Sequence, residues 1–221
     1  MLGWLAYNTE LPLPEVLYAD DDLILMDHIV TGGPMAQEDA ADHLAFLHSQ
    51  TAERFGFDCD TVIGGLPQPN PWTDQWVDFF RDWRLMMMAD AAARAGHLPT
   101  SIRIQIERLA GNLDGYFDDL SVPSLIHGDC WAGNILCRNG RVAAFVDPAI
   151  YYADPEIELA FGTLFGTFDA RFFDRYAEHH PIRDGFWEAR RDILNLYPLL
   201  VHVRLFGASY VAQVDAIVRR F

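Results

Sequence analysis

The spacing of hydrophobic positions changes along the chain, and the changes mark its elements. Val16 to Ala19 and Leu23 to Ile29 are short apolar runs on either side of Asp20-Asp21-Asp22, a solvated turn, and together they predict a hairpin. A short apolar opening, Met1 to Tyr7, is set apart from this hairpin by Pro12 and Pro14. Thr31-Gly32-Gly33-Pro34 breaks the chain. From Ala36 to Phe55 the positions Ala40, Leu44, Leu47 and Ala41, Ala45, His48 recur at helical spacing. Gly64 to Pro71 (GGLPQPNP) cannot be helix, because its prolines remove donors and push their neighbours to extended backbone. Trp72 to Ala95 reads as helix with Trp76, Phe79, Phe80 and Trp83 on one face, and Ile102 to Leu113 as a further helix.

The middle of the chain has a different rhythm. Ser124-Leu125-Ile126 leads into His127-Gly128-Asp129, and Asn134 to Cys137 and Val142 to Val146 are apolar runs joined by Arg138-Asn139-Gly140. Asn-Gly between two such runs is a strong short hairpin signal, since both residues tolerate the positive φ that the tight turn demands. Helical spacing returns over Glu156 to Phe165, Ala170 to Glu178, and Phe186 to Phe221, with breaks expected near Pro198 and Gly207.

Composition narrows the function classes. The 221 residues, 51% hydrophobic and 22% charged, describe a globular chain with a sizeable core. A net charge of −16 argues against nucleic acid or an anionic membrane as partner. All sixteen basic residues are arginine, which excludes Schiff-base chemistry and a phosphate-binding lysine within this chain. Cys59, Cys130 and Cys137 show no paired spacing, so neither a disulfide framework nor a zinc site is expected. No apolar run is long enough to span a membrane and no signal pattern opens the chain, so a cytoplasmic protein is expected.

The chemistry lies in His127-Gly128-Asp129, four residues, Asn134, then a hairpin and Asp147. Phosphoryl transfer needs a carboxylate to orient and deprotonate a hydroxyl, and oxygen ligands to hold magnesium against the nucleotide phosphates. Protein kinases supply these as HRDxxxxN followed by a hairpin and a second Asp. By that spacing Asp129 is the base, and Asn134 and Asp147 hold the metal. Asp147 is followed by Pro148-Ala149 rather than Phe-Gly, so no flip of a DFG segment is legible. His43 and His48 are five apart and do not form the i, i+4 metal pair.

Longer motifs surround this core. They are Phe55-Gly56-Phe57, the run Ile63 to Trp72 with Trp76 and Phe79-Phe80, His127 to Asn134, Asp147 to Tyr152, Asn195-Leu196-Tyr197 and Leu205-Phe206-Gly207. In these the chain, from about Pro14 to its end, resembles the fructosamine kinase (ketosamine 3-kinase) family, relatives of the aminoglycoside phosphotransferases. The resemblance implies an α+β, protein-kinase-like fold. Residues 1–29 would be a remnant of the β-rich N-terminal lobe with the hinge, and residues 30–221 the helical C-terminal lobe with the catalytic loop. It implies ATP and Mg2+ as cofactors and a small-molecule ketosamine, or glycated amine, as the acceptor of phosphate on a sugar hydroxyl. Asp129, Asn134 and Asp147 match the family's catalytic base and magnesium ligands. Trp131 matches a tryptophan that stacks on the sugar, with His127 beside it on the substrate side. Met26, Asp27, His28 and Ile29 fall at the hinge that meets adenine. Glu158 stands where an aspartate is usual and would tether the catalytic loop.

The chain departs from the family in a larger respect as well. The glycine-rich loop and the strand lysine with its helix glutamate are not in it. A second reading therefore stands beside the enzyme: a catalytically weak or inactive kinase-derived module that binds sugar or nucleotide. The same departure leads us to expect Leu2, Trp4 and Leu5 to be poorly covered, and self-association through the exposed N-terminal edge.

Overall fold

The computed structural model describes every residue except Asp21 and Asp119. The turn at Asp20 to Asp22 therefore lies partly outside the described residues, although Asp20 Oδ1 accepts the N–H groups of Asp22 and Leu23, as a turn of this kind requires. Helix α1 (Leu2–Asn8) precedes an antiparallel hairpin of β1 (Val16–Ala19) and β2 (Ile24–Met26). Helix α2 (Gln37–His48) follows, then a second hairpin of β3 (Thr61–Ile63) and β4 (Leu66–Gln68) formed by the proline-rich run. Pro67 is tolerated there because a two-stranded ribbon has open edges. The remaining helices are α3 (Trp76–Phe80), α4 (Met87–Arg94), α5 (Thr100–Ala110), α6 (Glu156–Leu164), α7 (Ala170–His179), α8 (Arg191–Phe206) and α9 (Val211–Val218).

Two ladders frame the middle. Strand β5 (Ser124–Ile126) pairs antiparallel with β8 (Tyr151–Ala153), and β6 (Ile135–Arg138) pairs with β7 (Arg141–Phe145) across the Asn139-Gly140 turn. Both turn residues have positive φ, 53° and 76°, as the sequence predicts for this dipeptide. Strand β8 is not foreseen by the hydrophobic pattern. It forms because its neighbours on both sides supply partners: Gly56 exchanges both backbone hydrogen bonds with Tyr152, which also places Phe55-Gly56-Phe57 beside the ladder.

Two features of the helical body differ from the sequence reading. A π-helical segment, Arg81–Met86, separates α3 from α4. The wide turn rotates the following residues, so Trp83 faces outward at 36% exposure while Arg84 is fully buried. Pro198 does not break α8. That helix is buried around most of its circumference by Ile193, Leu194, Leu196, Leu199, Leu200 and Val203. Several such side chains, each contributing about 1.5–3 kcal/mol, outweigh the ~3 kcal/mol cost of an interior proline.

The N-terminal segment is covered rather than bare. Leu5 is fully buried in the main core, Leu2 is buried, and Trp4 packs edge-on against Phe57 at 5.1 Å between ring centroids. The apolar exposure lies instead on the β1–β2 hairpin, where Leu17, Tyr18, Leu23, Ile24 and Leu25 are each more than half exposed. Among the described residues no helix is long and apolar enough to cross a membrane.

Candidate active site

The loop after β5 is fixed by its own backbone geometry. Gly128 has φ +84°, and a Cβ there would lie 2.1 Å from the carbonyl oxygen of Ala149. Only glycine lets the two segments approach, and the approach is held by the Ala149 N–H donating to the His127 carbonyl at 2.7 Å. From below, α6 presents Glu158, whose Oε2 accepts the His127 N–H at 3.0 Å and whose Oε1 accepts the Gly128 N–H at 2.6 Å. His48 on α2 donates to Glu158 through Nε2 at 2.9 Å, and its Nδ1 meets the Tyr176 hydroxyl at 2.7 Å. Burial pushes the Glu158 pKa up, but these hydrogen bonds, with the neighbouring His48 and His127 rings, together hold it below its ordinary value.

Asp129 projects above this support. Asn134 Nδ2 donates both to its backbone carbonyl and to its Oδ2, each at 2.9 Å. The β6–β7 hairpin then brings Asn134 opposite Val146, whose N–H donates to the Asn134 carbonyl at 3.0 Å, so Asp147 follows one residue beyond that pair. Asp147 itself is exposed, has φ +50°, and forms no ion pair among the described residues. Burial, reinforced by the charges of Asp147 and Glu158, raises the Asp129 pKa to about 6 against the hydrogen bond from Asn134. The site therefore carries uncompensated negative charge.

Two large clefts open on Asp129, which also lines a small cavity of about 30 Å³. One, of about 540 Å³, is lined by Trp131, Phe161, Phe165, His202 and Phe206 together with Ile63 and Gly64. The other, of about 480 Å³, is lined by Asp147, Pro148, Val16, Ala19 and Ile24, again with Ile63 and Gly64. Asp129 and the tip of the β3–β4 hairpin are common to both.

The residues singled out from sequence are distributed unequally over this geometry. Asp129, Asn134 and Asp147 come together, and Trp131 stands at 43% exposure in the first cleft rather than in the core. His127 does not reach either cleft. It is fully buried, its Nδ1 accepts the Asp129 N–H at 3.3 Å, and burial lowers its pKa, so it positions the loop from beneath. Met26, Asp27, His28 and Ile29 also line neither cleft; Asp27 instead closes the base of its own hairpin, with Oδ1 accepting the Glu15 N–H. The apolar positions Val16, Ala19 and Ile24 face the cleft in their place.

The proline-rich motif contributes through a buried polar network. Gln68 Nε2 donates to the Ala149 carbonyl and to Thr61, while Gln68 Oε1 accepts the Tyr197 hydroxyl at 2.7 Å. Asn70 joins Thr61 to the buried Arg84, whose guanidinium lies 3.9 Å from the Tyr151 ring centroid. The Ala149 carbonyl that Gly128 approaches is thus also held by Gln68. The buried Cys130 thiol packs near His127 and Glu158, and burial keeps it protonated.

A family model described as fructosamine kinase matches residues 12–221. The chain belongs to the fructosamine kinase family. A protein named probable ketoamine kinase from Synechocystis sp. is 38% identical over 182 residues, covering 80% of this chain and 59% of its own length. Another of that name from Lactiplantibacillus plantarum is 35% identical, covering 92% of this chain and 72% of itself. The chloroplastic protein-ribulosamine 3-kinase of Arabidopsis thaliana is 32% identical over 88% of the chain and 60% of itself. The chain thus spans about three fifths to seven tenths of the length of these relatives. Among solved structures, one assigned as a fructosamine-3-kinase from Thermobifida fusca superposes with a TM-score of 0.88 at 34% identity, covering 99% of this chain and 77% of the other. The gentamicin complex of APH(2'')-IIa has a TM-score of 0.64 at 15% identity, covering all of this chain and 78% of the other, which shows a shared protein-kinase-like fold.

Proposed function

We propose that this chain binds ATP and a ketosamine and transfers the terminal phosphoryl group to a sugar hydroxyl. The observation that carries the reading is the place of Asp129, at the junction of a cleft walled by Trp131 and a cleft walled by Asp147. An acceptor in the first and a nucleotide in the second would meet at that carboxylate. Relatives named ketoamine kinase and protein-ribulosamine 3-kinase support the acceptor class.

The residues present fit magnesium. Asn134 commits its NH2 to Asp129, which leaves its Oδ1 without a hydrogen bond among the described residues, and the exposed carboxylate of Asp147 is unpaired there. Both are hard oxygen donors, and Asp129, whose pKa is raised by burial first and then by the nearby carboxylates of Asp147 and Glu158, lies beside them. Bound with the nucleotide, magnesium supplies neutralisation of phosphate charge. Asp129 orients the acceptor hydroxyl and takes its proton as the oxygen bonds to phosphorus and ADP departs. A pKa of about 6 keeps it ionised at neutral pH yet basic enough to accept that proton. Trp131 offers an indole face to the sugar, and the apolar wall of Val16, Ala19 and Ile24 suits a nucleotide base.

One observation favours the second reading, a module that binds without turnover: among the described residues no arginine lines the cleft beside Asp147, and the 221 residues include no lysine. The test is release of ADP from MgATP with and without a ketosamine. ADP formation that requires the ketosamine supports the kinase; saturable binding of both ligands without ADP supports the module; binding of neither overturns both.

A further inference from the structure

The cleft beside Trp131 is larger than a sugar needs and is walled by aromatic rings. Phe161 packs on Phe165 at 5.9 Å between centroids, Phe165 on His202 at 5.1 Å, and His202 on Phe206 and Tyr210 at 5.6 and 4.9 Å. These rings form one continuous wall that starts near Asp129 and ends at the protein surface. His202 is fixed within it, since its Nδ1 donates to the Pro198 carbonyl at 2.7 Å. The outer rings are left to solvent: Phe206 is 63% exposed and Phe165 42%. Large aromatic faces clustered in a concave site are the ordinary lining of an apolar ligand site.

Charge points the same way. Among the described residues Asp129 is the one acidic residue in this lining, and no arginine joins it. A carboxylate carried into the cleft would find no guanidinium to pair with, and it would approach a chain whose net charge is −16. A protonated secondary amine is different, because ring faces attract a cation. At about 540 Å³ the cleft holds a sugar together with a further group of similar size. The hairpin tip packs against the Leu205 side chain, where a Cβ on Gly64 would lie 2.8 Å from it, while the exposed rings of Phe165 and Phe206 offer that further group an open apolar wall.

From this we infer that the cleft selects ketosamines whose amine carries an uncharged aromatic or apolar group, and that Phe165 and Phe206 are the residues that select it. The inference rests on the ketosamine reading above and specifies which ketosamines.

The experiment uses three fructosamine adducts and measures binding by calorimetry at about pH 8, where an ordinary histidine is neutral. The adducts are those of phenethylamine, of phenylalanine (the same arm plus a carboxylate) and of methylamine (no arm). The phenethylamine adduct is expected to bind at least ~10-fold more tightly than either other, the scale of one well-placed aromatic contact. In Phe165→Ala and Phe206→Ala, both at exposed positions where folding is not at stake, its advantage over the methylamine adduct should shrink toward parity. Equal affinity for the phenethylamine and phenylalanine adducts, or for the phenethylamine and methylamine adducts, would overturn the inference and leave the ketosamine reading intact. Binding of none of the three would overturn that reading, and the inference with it.

Discussion

Glu158 and Gly128 are joined by a 2.6 Å hydrogen bond from the glycine N–H to the glutamate carboxylate, and the other oxygen of the same carboxylate accepts the N–H of His127. A single buried acid thus fixes the two peptide units that precede Asp129. Glu158→Gln keeps the shape but turns one acceptor into a donor facing an N–H group. We expect it to cost roughly 3 kcal/mol, read as a lower urea midpoint with unchanged slope. Because the folded-state pKa of Glu158 lies below its ordinary 4.5, its contribution is present above that value and is lost as pH falls through the lower, folded-state pKa. The gap between wild type and Glu158→Gln should therefore narrow in acid. A gap independent of pH would place the support of the loop elsewhere.

Gly128→Ala tests the close approach itself. Backbone lies on both sides, so a methyl 2.1 Å from the Ala149 oxygen cannot be relieved by a side-chain rotation, and φ +84° adds strain. The variant is expected to lose several kcal/mol or fail to fold at moderate temperature. A thermal midpoint within a few degrees of wild type would contradict the geometry of the loop.

Asp129 is predicted to cost stability. Its pKa of about 6 exceeds the ordinary 3.8, so between these values the folded chain holds a proton that the unfolded chain has released. Stability then falls as pH rises through that window, by on the order of 1–2 kcal/mol after allowing for partial exposure. In buffer free of divalent metal, Asp129→Asn should be more stable than wild type at neutral pH and equal to it near pH 4. An asparagine variant that is less stable at neutral pH would mean that neither burial nor the neighbouring carboxylates disfavour the charged form of Asp129.

The β1–β2 hairpin is the expected point of self-association. It has two strands, open edges and apolar side chains exposed on it, including Leu17, Ile24 and Leu25. The charge of −16 opposes contact between copies, so association should rise with added salt, which screens that repulsion. Sedimentation velocity at increasing concentration and salt measures it, with Leu17→Ser, Leu25→Ser as the variant that should remain monomeric. A wild-type chain that stays monomeric in high salt would remove the hairpin as an interface.

Local chemistry was readable from sequence, and distant pairing was not. The Asn139-Gly140 turn follows from the φ preferences of two adjacent residues, and with it the meeting of Asn134 and Asp147 across one hairpin. Pro198 misleads because the rule against interior proline is local, whereas the burial that carries α8 through it is tertiary. Trp83 and Arg84 exchange faces because a π turn leaves no mark on hydrophobic spacing. The support beneath the loop joins His48 to Glu158 and Tyr176 across 110 and 128 residues, which no window along the chain can see. Its traces in the sequence are His48, standing in an otherwise apolar helical stripe, and Glu158, which the family resemblance marks as a tether of the loop. Gln68 was visible only as part of a motif, and its bond to the Ala149 carbonyl explains why a glutamine is useful between two prolines.

In the proposed reaction Asp129, at the meeting of two clefts, receives the proton of a sugar hydroxyl as phosphate is transferred. The most direct measurement is mass-spectrometric detection of phosphorylated ketosamine formed by wild type and by Asp129→Asn, with MgATP and ketosamine both saturating. Wild type is expected to give a singly phosphorylated product. The rate in Asp129→Asn is expected to be lower by about 10²–10⁴, with both ligands still bound. Product formed at comparable rates by the two proteins would contradict this role of Asp129.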